Sequence, residues 1–227
     1  MIPWENLDTA SIPGDGGTLR LRRRGTEYAI MLGQNELMNS RLSGSEEALA
    51  TLACGRIASR KAPHVLIGGL GMGFTLRAAL GALPPGAAVT VAELVPAVAA
   101  WARGPLAGVF DGILDDPRVT LREVDVARAI GERPAAWDAI LLDVDNGPDG
   151  LTRASNDRLY DPAGLGAAYA ALRPGGVLAV WSAGPDRSFG RRLHDAGLSV
   201  EEVATRANGR KGGARHVIWL AVRSGRG

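Results

Sequence analysis

From residue 64 onward, short apolar runs alternate with amphipathic stretches, and that alternation predicts the architecture. His64–Gly68 (HVLIG), Val89–Glu93 (VTVAE), Val119–Val124, Trp137–Asp143 (WDAILLD) and Val177–Trp181 read as strands. Phe74–Leu83, Pro96–Arg103, Leu165–Leu172 and Ser188–Ala196 read as the helices between and after them. The unbroken apolar centre of WDAILLD suits a strand covered on both faces. Pro96 fits a first helical turn, and Arg173-Pro-Gly-Gly is a helix stop. Val200–Thr205 and His216–Val222 flank a ten-residue polar loop, so they are expected to be antiparallel neighbours. Together the pattern predicts an α/β fold, a mostly parallel sheet with helices on both faces. Such sheets bind ligands outside the carboxyl ends of their strands.

The first sixty residues follow a different pattern. Thr18–Arg24 and Glu27–Leu32 form a short hairpin around Gly25, and Ser43-Gly-Ser-Glu46 fits a capping box opening a helix to about Ser59. This segment is too short to bury a core of its own. Residues 1–44 are therefore expected to be a hairpin and lid appended to one α/β domain, residues 45–227, with no internal repeat.

Composition narrows the class. The chain has 227 residues, 46% hydrophobic and 22% charged, as in a soluble globular protein rather than a disordered one. The single Cys54 excludes an intrachain disulfide framework and a multi-cysteine metal site. His64, His194 and His216 show no metal-ligand spacing, so no metal is expected, and both His194 and His216 are read as ordinary core or surface residues. No apolar run approaches the roughly 18–20 residues of a membrane span. The N-terminus lacks a basic region followed by an apolar one, so the expected location is cytoplasmic. Of the 26 basic residues, all but Lys61 and Lys211 are arginine, a compositional habit more than a phosphate-binding signature. Two clusters (Arg20, Arg22, Arg23 and Arg24; Arg206, Arg210, Lys211 and Arg215) are read as solvated faces. Neither nucleic acid nor membrane is the expected partner.

The chemistry concentrates at strand ends. Gly68-Gly-Leu-Gly-Met-Gly73 follows a strand and opens a helix, the context that gives a glycine loop meaning. The GxGxxG pattern fails at Phe74. The pattern present, Gly69, Gly71 and Gly73, suits a nucleoside without a pyrophosphate. Glu93 stands 20 residues beyond Gly73 at the end of the second strand, where a carboxylate can accept both ribose hydroxyls. Asp125 ends the third strand and is placed to meet an adenine edge. Leu94 and Val126, next in sequence to these acids, are expected to flank the same pocket. Past the fourth strand come Asp143, Asp145 and Asp149, with Asn146 available to orient an amine or carbonyl. A carboxylate here can serve as base or cation holder for an amine nucleophile. Asp143 and Asp145 are both candidate catalytic residues. They alternate on an extended segment, so one of them faces the cofactor, and Asp143 is the expected one.

The stretches VLIGGLGMGFTLRAAL (65–80), VTVAELVPAVAAWAR (89–103), DPRVTLREVDVARAI (116–130), WDAILLDVDNGP (137–148) and LY…LRPGGVLAVW (159–181) carry a resemblance. They cover most of residues 47–181, and the chain resembles the spermidine synthase-like (aminopropyltransferase) family of class I S-adenosylmethionine-dependent proteins. That resemblance implies a Rossmann-like, seven-stranded sheet with its last strand antiparallel. It also implies Glu93 on the ribose, Asp125 near the adenine and Asp143 at the reacting centre. The implied cofactor is S-adenosylmethionine or its decarboxylated form, and the implied partner is a small-molecule acceptor. Dimers are common in the family, although no extended self-complementary apolar surface is visible in the pattern.

The sequence departs from the family in three places. The glycine loop GGLGMG lacks the acid usual in GGDGG, which should repel the carboxylate of the intact cofactor. The catalytic loop Asp143-Val-Asp145-Asn replaces D-S-x-D-P. The acceptor-holding Tyr-His-Glu aligns with Ser45-Glu46-Glu47, keeping only Glu47. Tyr160, at the family's Leu-Tyr position, is a candidate for the acceptor pocket, with packing as an equal explanation. These departures favour methyl transfer from intact S-adenosylmethionine to a small amine- or hydroxyl-bearing acceptor. Aminopropyl transfer from the decarboxylated form, as in polyamine synthesis, is the alternative. Five acids (Glu46, Glu47, Asp143, Asp145 and Asp149) are available to hold a polycation. A nucleic-acid methyltransferase or a non-catalytic nucleoside-binding module is the remaining class.

Overall fold

The computed structural model describes residues 2–14, 16–144, 157–209 and 212–225. The chain opens with four strands, β1 (Glu5–Ser11), β2 (Thr18–Arg24), β3 (Glu27–Leu32) and β4 (Asn35–Asn39), forming an antiparallel sheet in sequence order. The hairpin expected from the sequence is its middle pair, with Leu19 opposite Leu32 and Leu21 opposite Ile30. β1 and β4 were not legible because ENLDTAS and NELMN lack strand-like alternation. Their edges are supplied by pairing with β2 and β3.

α1 (Gly44–Arg56) follows, without the expected capping box. The Ser43 hydroxyl donates to the Glu47 carboxylate at 2.7 Å instead of accepting from a helix amide. The remaining elements alternate: β5 (His64–Gly68), α2 (Phe74–Ala82), β6 (Ala88–Glu93), α3 (Pro96–Arg103), α4 (Ala107–Phe110), β7 (Val119–Glu123), α5 (Val126–Gly131) and β8 (Trp137–Leu142). Then come α6 (Asp157–Tyr160), α7 (Pro162–Ala171), β9 (Leu172–Ser182), α8 (Arg187–Asp195), β10 (Leu198–Arg206) and β11 (Arg215–Arg223). They build one seven-stranded sheet in the order β10-β11-β9-β8-β5-β6-β7. β11 runs antiparallel to both of its neighbours, and the pairs β5–β6, β5–β8, β6–β7 and β8–β9 are parallel.

Helix starts are set by local chemistry. Asp161 accepts from the Gly164 amide ahead of Pro162, and Asp186 accepts from the Ser188 and Phe189 amides. β9 is longer than expected, because a register shift between Trp137 and Ala139 absorbs Arg173-Pro-Gly-Gly into the strand. Two apolar cores flank the sheet. One joins Leu49, Ile67, Leu76, Trp101 and the N-terminal sheet; the other joins Ile130, Leu165, Phe189 and Trp219. At the amino end of the parallel strands, buried Asp138 pairs with Arg60 (2.6 Å) and Arg173 (2.7 Å) and accepts the His64 amide (2.7 Å). That cluster ties the segment after α1 to β5, β8 and β9, well away from the carboxyl ends of the parallel strands.

The N-terminal basic cluster is largely spoken for. Arg22 and Arg24 stack on Trp4, Arg23 pairs with Glu5, and Arg24 pairs with Glu27. Cys54 is buried, and burial pushes its thiol up to about 12. No described helix is long and apolar enough to cross a membrane. Among the described residues, no group of three or more His, Cys, Asp or Glu could hold a metal ion.

Candidate active site

The strand order reverses between β5 and its neighbours β6 and β8, and a cleft opens at their carboxyl ends, where α/β sheets bind ligands. It holds about 1300 Å³ of atom-free space, part of it open to solvent. One wall comes from β5–α2, β6–α3, β7–α5 and β8. The other comes from the N-terminal sheet, through Ile12, Leu19, Ile30, Leu32, Leu37 and Met38.

The glycine loop between β5 and α2 forms the floor. Gly71 and Gly73 both have positive φ, which L-residues with a Cβ rarely adopt. The space around them is already taken. A Cβ on Gly71 would meet the Met38 thioether at 2.9 Å, and one on Gly73 would meet the Phe110 ring at 2.6 Å. Gly69 is likewise pressed against the Asp143 carbonyl. The glycines therefore let the loop nest against β4, α4 and the end of β8, and so they shape the cleft indirectly.

Glu93 ends β6 and is buried at 7% exposure. Its two carboxylate oxygens accept the Leu70 amide (2.9 Å) and the Val95 amide (2.8 Å). Burial raises its pKa while these amides oppose the rise. The Leu94 and Gly71 amides also bear on this carboxylate, so the backbone around the glycine loop and the start of α3 holds it in place. Asp125 is exposed at the cleft rim and caps α5, accepting the Ala127 amide at 2.8 Å. Val126 is buried beside it, and Leu94 is half-buried; both line the cleft.

Asp143 follows β8. Its carboxylate accepts a hydrogen bond from the Thr75 hydroxyl at 2.5 Å. It is pushed up to about 7, first by burial and second by the like charge of Glu46. Glu46 is half-buried on the first turn of α1 and lines the same cleft; burial raises its pKa as well. Its carboxylate accepts from the buried Ser45 hydroxyl at 2.8 Å, and that hydroxyl lies 3.0 Å from Nδ1 of His216 on β11. Two carboxylates thus face one cleft, each backed by a hydroxyl.

Two of the sequence-predicted residues lie elsewhere. Glu47 is exposed, on the outer side of α1 with Ser43, and it is the adjacent Glu46 that enters the cleft. Tyr160 is buried in the second core, edge-to-face with Phe189 at 5.6 Å, so packing accounts for it. Asp145, Asn146 and Asp149 lie outside the described residues. Sequence reasoning missed Thr75, Ser45, Trp181 and His216. Thr75 carried a faint signal, as a hydroxyl directly after the glycine loop. His216 carried none, because 171 residues separate it from Ser45.

No family model matches the sequence, and no curated protein matches it. Among solved structures, the fold is that of spermidine synthases. A spermidine synthase in complex with the transition-state analogue AdoDATO is 18% identical, with a TM-score of 0.75 over 96% of this chain and 72% of that one. The spermidine synthase from Thermotoga maritima is 18% identical, with a TM-score of 0.76 over 96% and 73% of the two chains. A probable spermidine synthase from Corynebacterium glutamicum is 16% identical, with a TM-score of 0.66 over 95% and 79%. The similarity takes in nearly the whole chain.

Proposed function

We propose that the protein transfers the aminopropyl group of decarboxylated S-adenosylmethionine to a small amine. One observation carries this reading. Of the described residues lining the cleft, four are carboxylates (Glu46, Glu93, Asp125 and Asp143) and none is Lys, Arg or His. The intact cofactor would bring its own carboxylate into that field with no cationic side chain to meet it. The decarboxylated form brings only positive charge, which acids favour. The preference for methyl transfer drawn from the acid-free glycine loop is therefore reversed: Glu46 and Asp143 supply, from outside the loop, the negative charge that Leu70 does not.

The residues fit an adenosyl group. Glu93 lines the cleft at the end of β6, where its carboxylate would meet ribose hydroxyls, and Asp125, Leu94 and Val126 would flank the base. When bound, the sulfonium supplies an electrophilic carbon. The protein's own part is to present a neutral amine to it. Asp143, with a pKa near neutrality, takes a proton from the acceptor ammonium: the N–H bond breaks and its electron pair stays on nitrogen for attack on that carbon. The electrons of the breaking C–S bond remain on sulfur. Glu46 offsets the positive charge of the arriving amine.

Methyl transfer from intact S-adenosylmethionine is the second reading, supported by the absence of an acid between Gly69 and Gly71. Calorimetric titration with the decarboxylated cofactor, the intact cofactor and methylthioadenosine separates the two. A preference of tenfold or more for the decarboxylated form, about 1.4 kcal/mol, is the expected result. Equal or tighter binding of the intact cofactor returns the assignment to methyl transfer. Failure of all three to bind overturns the adenosine pocket itself.

A further inference from the structure

The start of α1 is pinned against the turn between β10 and β11. The Gly44 amide donates to the Ala207 carbonyl at 2.9 Å, and a Cβ on Gly44 would collide with the backbone of Gly209. This docking, between segments far apart in sequence, places Ser45 between His216 and Glu46. Ser45 is 1% exposed. The His216 ring is held edge-to-face on Trp181, a cleft-lining residue, with centroids 4.6 Å apart.

A hydroxyl carries one hydrogen. If His216 presents a protonated Nδ1 to the Ser45 oxygen, that single hydrogen is directed to Glu46 and rewards its ionised form. If His216 presents a bare Nδ1, it takes the hydrogen for itself and Glu46 loses its side-chain donor, keeping only backbone amides. Two like charges in one cleft do not both ionise freely, so a donor to one of them decides which carries the charge. Thr75 gives Asp143 a comparable donor, while burial at the end of β8 and the like charge of Glu46 push Asp143 up to about 7.

We propose that His216 is a positioning residue which, through the Ser45 hydroxyl, holds Glu46 as the ionised anchor for an acceptor ammonium and leaves Asp143 as the member of the pair that takes the proton. The role assigned to the ammonium rests on the amine-acceptor reading above; the hydrogen-bond chain from His216 to Glu46 does not. Nitrogen-15 spectra of the imidazole, recorded in mildly alkaline buffer where the ring is neutral, test the chain with no cofactor or acceptor present. The wild-type ring is expected as the Nδ1–H tautomer. In Ser45→Ala and in Glu46→Ala it is expected to revert to the Nε2–H tautomer that free imidazoles favour. An Nε2–H ring in the wild type, or one tautomer in all three proteins, overturns the proposal. Should either variant fail to fold, the wild-type tautomer still decides.

Turnover tests the consequence, with decarboxylated S-adenosylmethionine and 1,4-diaminobutane as the probe amine. His216→Phe is expected to raise the amine KM about tenfold with a smaller change in kcat. His216→Asn, which keeps a donor toward Ser45, is expected to restore KM. Equal losses in the two variants, or a loss confined to kcat, would remove His216 from the positioning role. A probe amine that does not react in the wild type counts against the amine-acceptor reading alone, while the spectra still decide the chain.

Discussion

Asp143 sits where three influences meet: the end of a buried strand, the Thr75 hydroxyl and the second carboxylate of Glu46. Its ordinary value is 3.8 and it is pushed up to about 7 in the folded protein. Between those values the folded state holds a proton that the unfolded state lacks. Stability therefore falls as pH rises through that window. Asp143→Asn removes the titration, so the variant is expected to melt above the wild type at neutral and alkaline pH. The advantage should shrink as pH falls toward 4, which parallel thermal melts would show. The same substitution is expected to abolish turnover while cofactor affinity stays within an order of magnitude. Full activity in the variant would remove Asp143 from the chemistry. This residue was legible in the sequence because it ends an apolar strand. Its partner was not: Glu46 and Glu47 are adjacent, and only the docking of α1 decides which one turns inward.

The elements divide into those that shape the cleft and those that hold the sheet. The glycine loop belongs to the first group. At Gly73 a methyl group would meet both an unfavourable φ of 78° and the Phe110 ring, so Gly73→Ala is expected to cost about 1–3 kcal/mol. Denaturant unfolding would measure that cost, and a neutral result would mean that α4 yields. The Asp138 cluster belongs to the second group. Removing the buried carboxylate leaves the His64 amide without its acceptor and takes the partner from Arg60 and Arg173, which reach solvent, so Asp138→Ala is expected to lose about 1–3 kcal/mol. Cofactor affinity of the folded fraction should be unchanged, because the cluster lies at the opposite end of the strands. A selective loss of affinity would contradict that separation. The parallel strands were legible because burial on both faces leaves an unbroken apolar run. β1 and β4 were not, since edge strands owe their conformation to a neighbour's hydrogen bonds.

At the scale of the whole molecule, the N-terminal sheet is a wall of the cleft as much as an appendage. It places Met38 against Gly71, and its β1 receives the Trp101 indole N–H on Asp8 at 2.6 Å. Ligand binding should therefore protect both walls. Hydrogen exchange with the decarboxylated cofactor is expected to slow amides in β4 as well as in the Gly69–Gly73 loop; protection confined to the loop would show that the wall is not engaged. The sequence by itself determined the α/β alternation, the glycine loop, and the acids at the ends of β6, β7 and β8. Each of these is written in local periodicity or in a residue's place on one strand. Only the tertiary structure decided that Glu46 and not Glu47 faces Asp143, that Tyr160 packs in the core, and that His216 reaches Ser45. The first and last depend on how α1 docks against the β10–β11 turn, and the second on how α6 packs against Phe189 of α8, contacts between segments too distant in sequence for any local pattern to record.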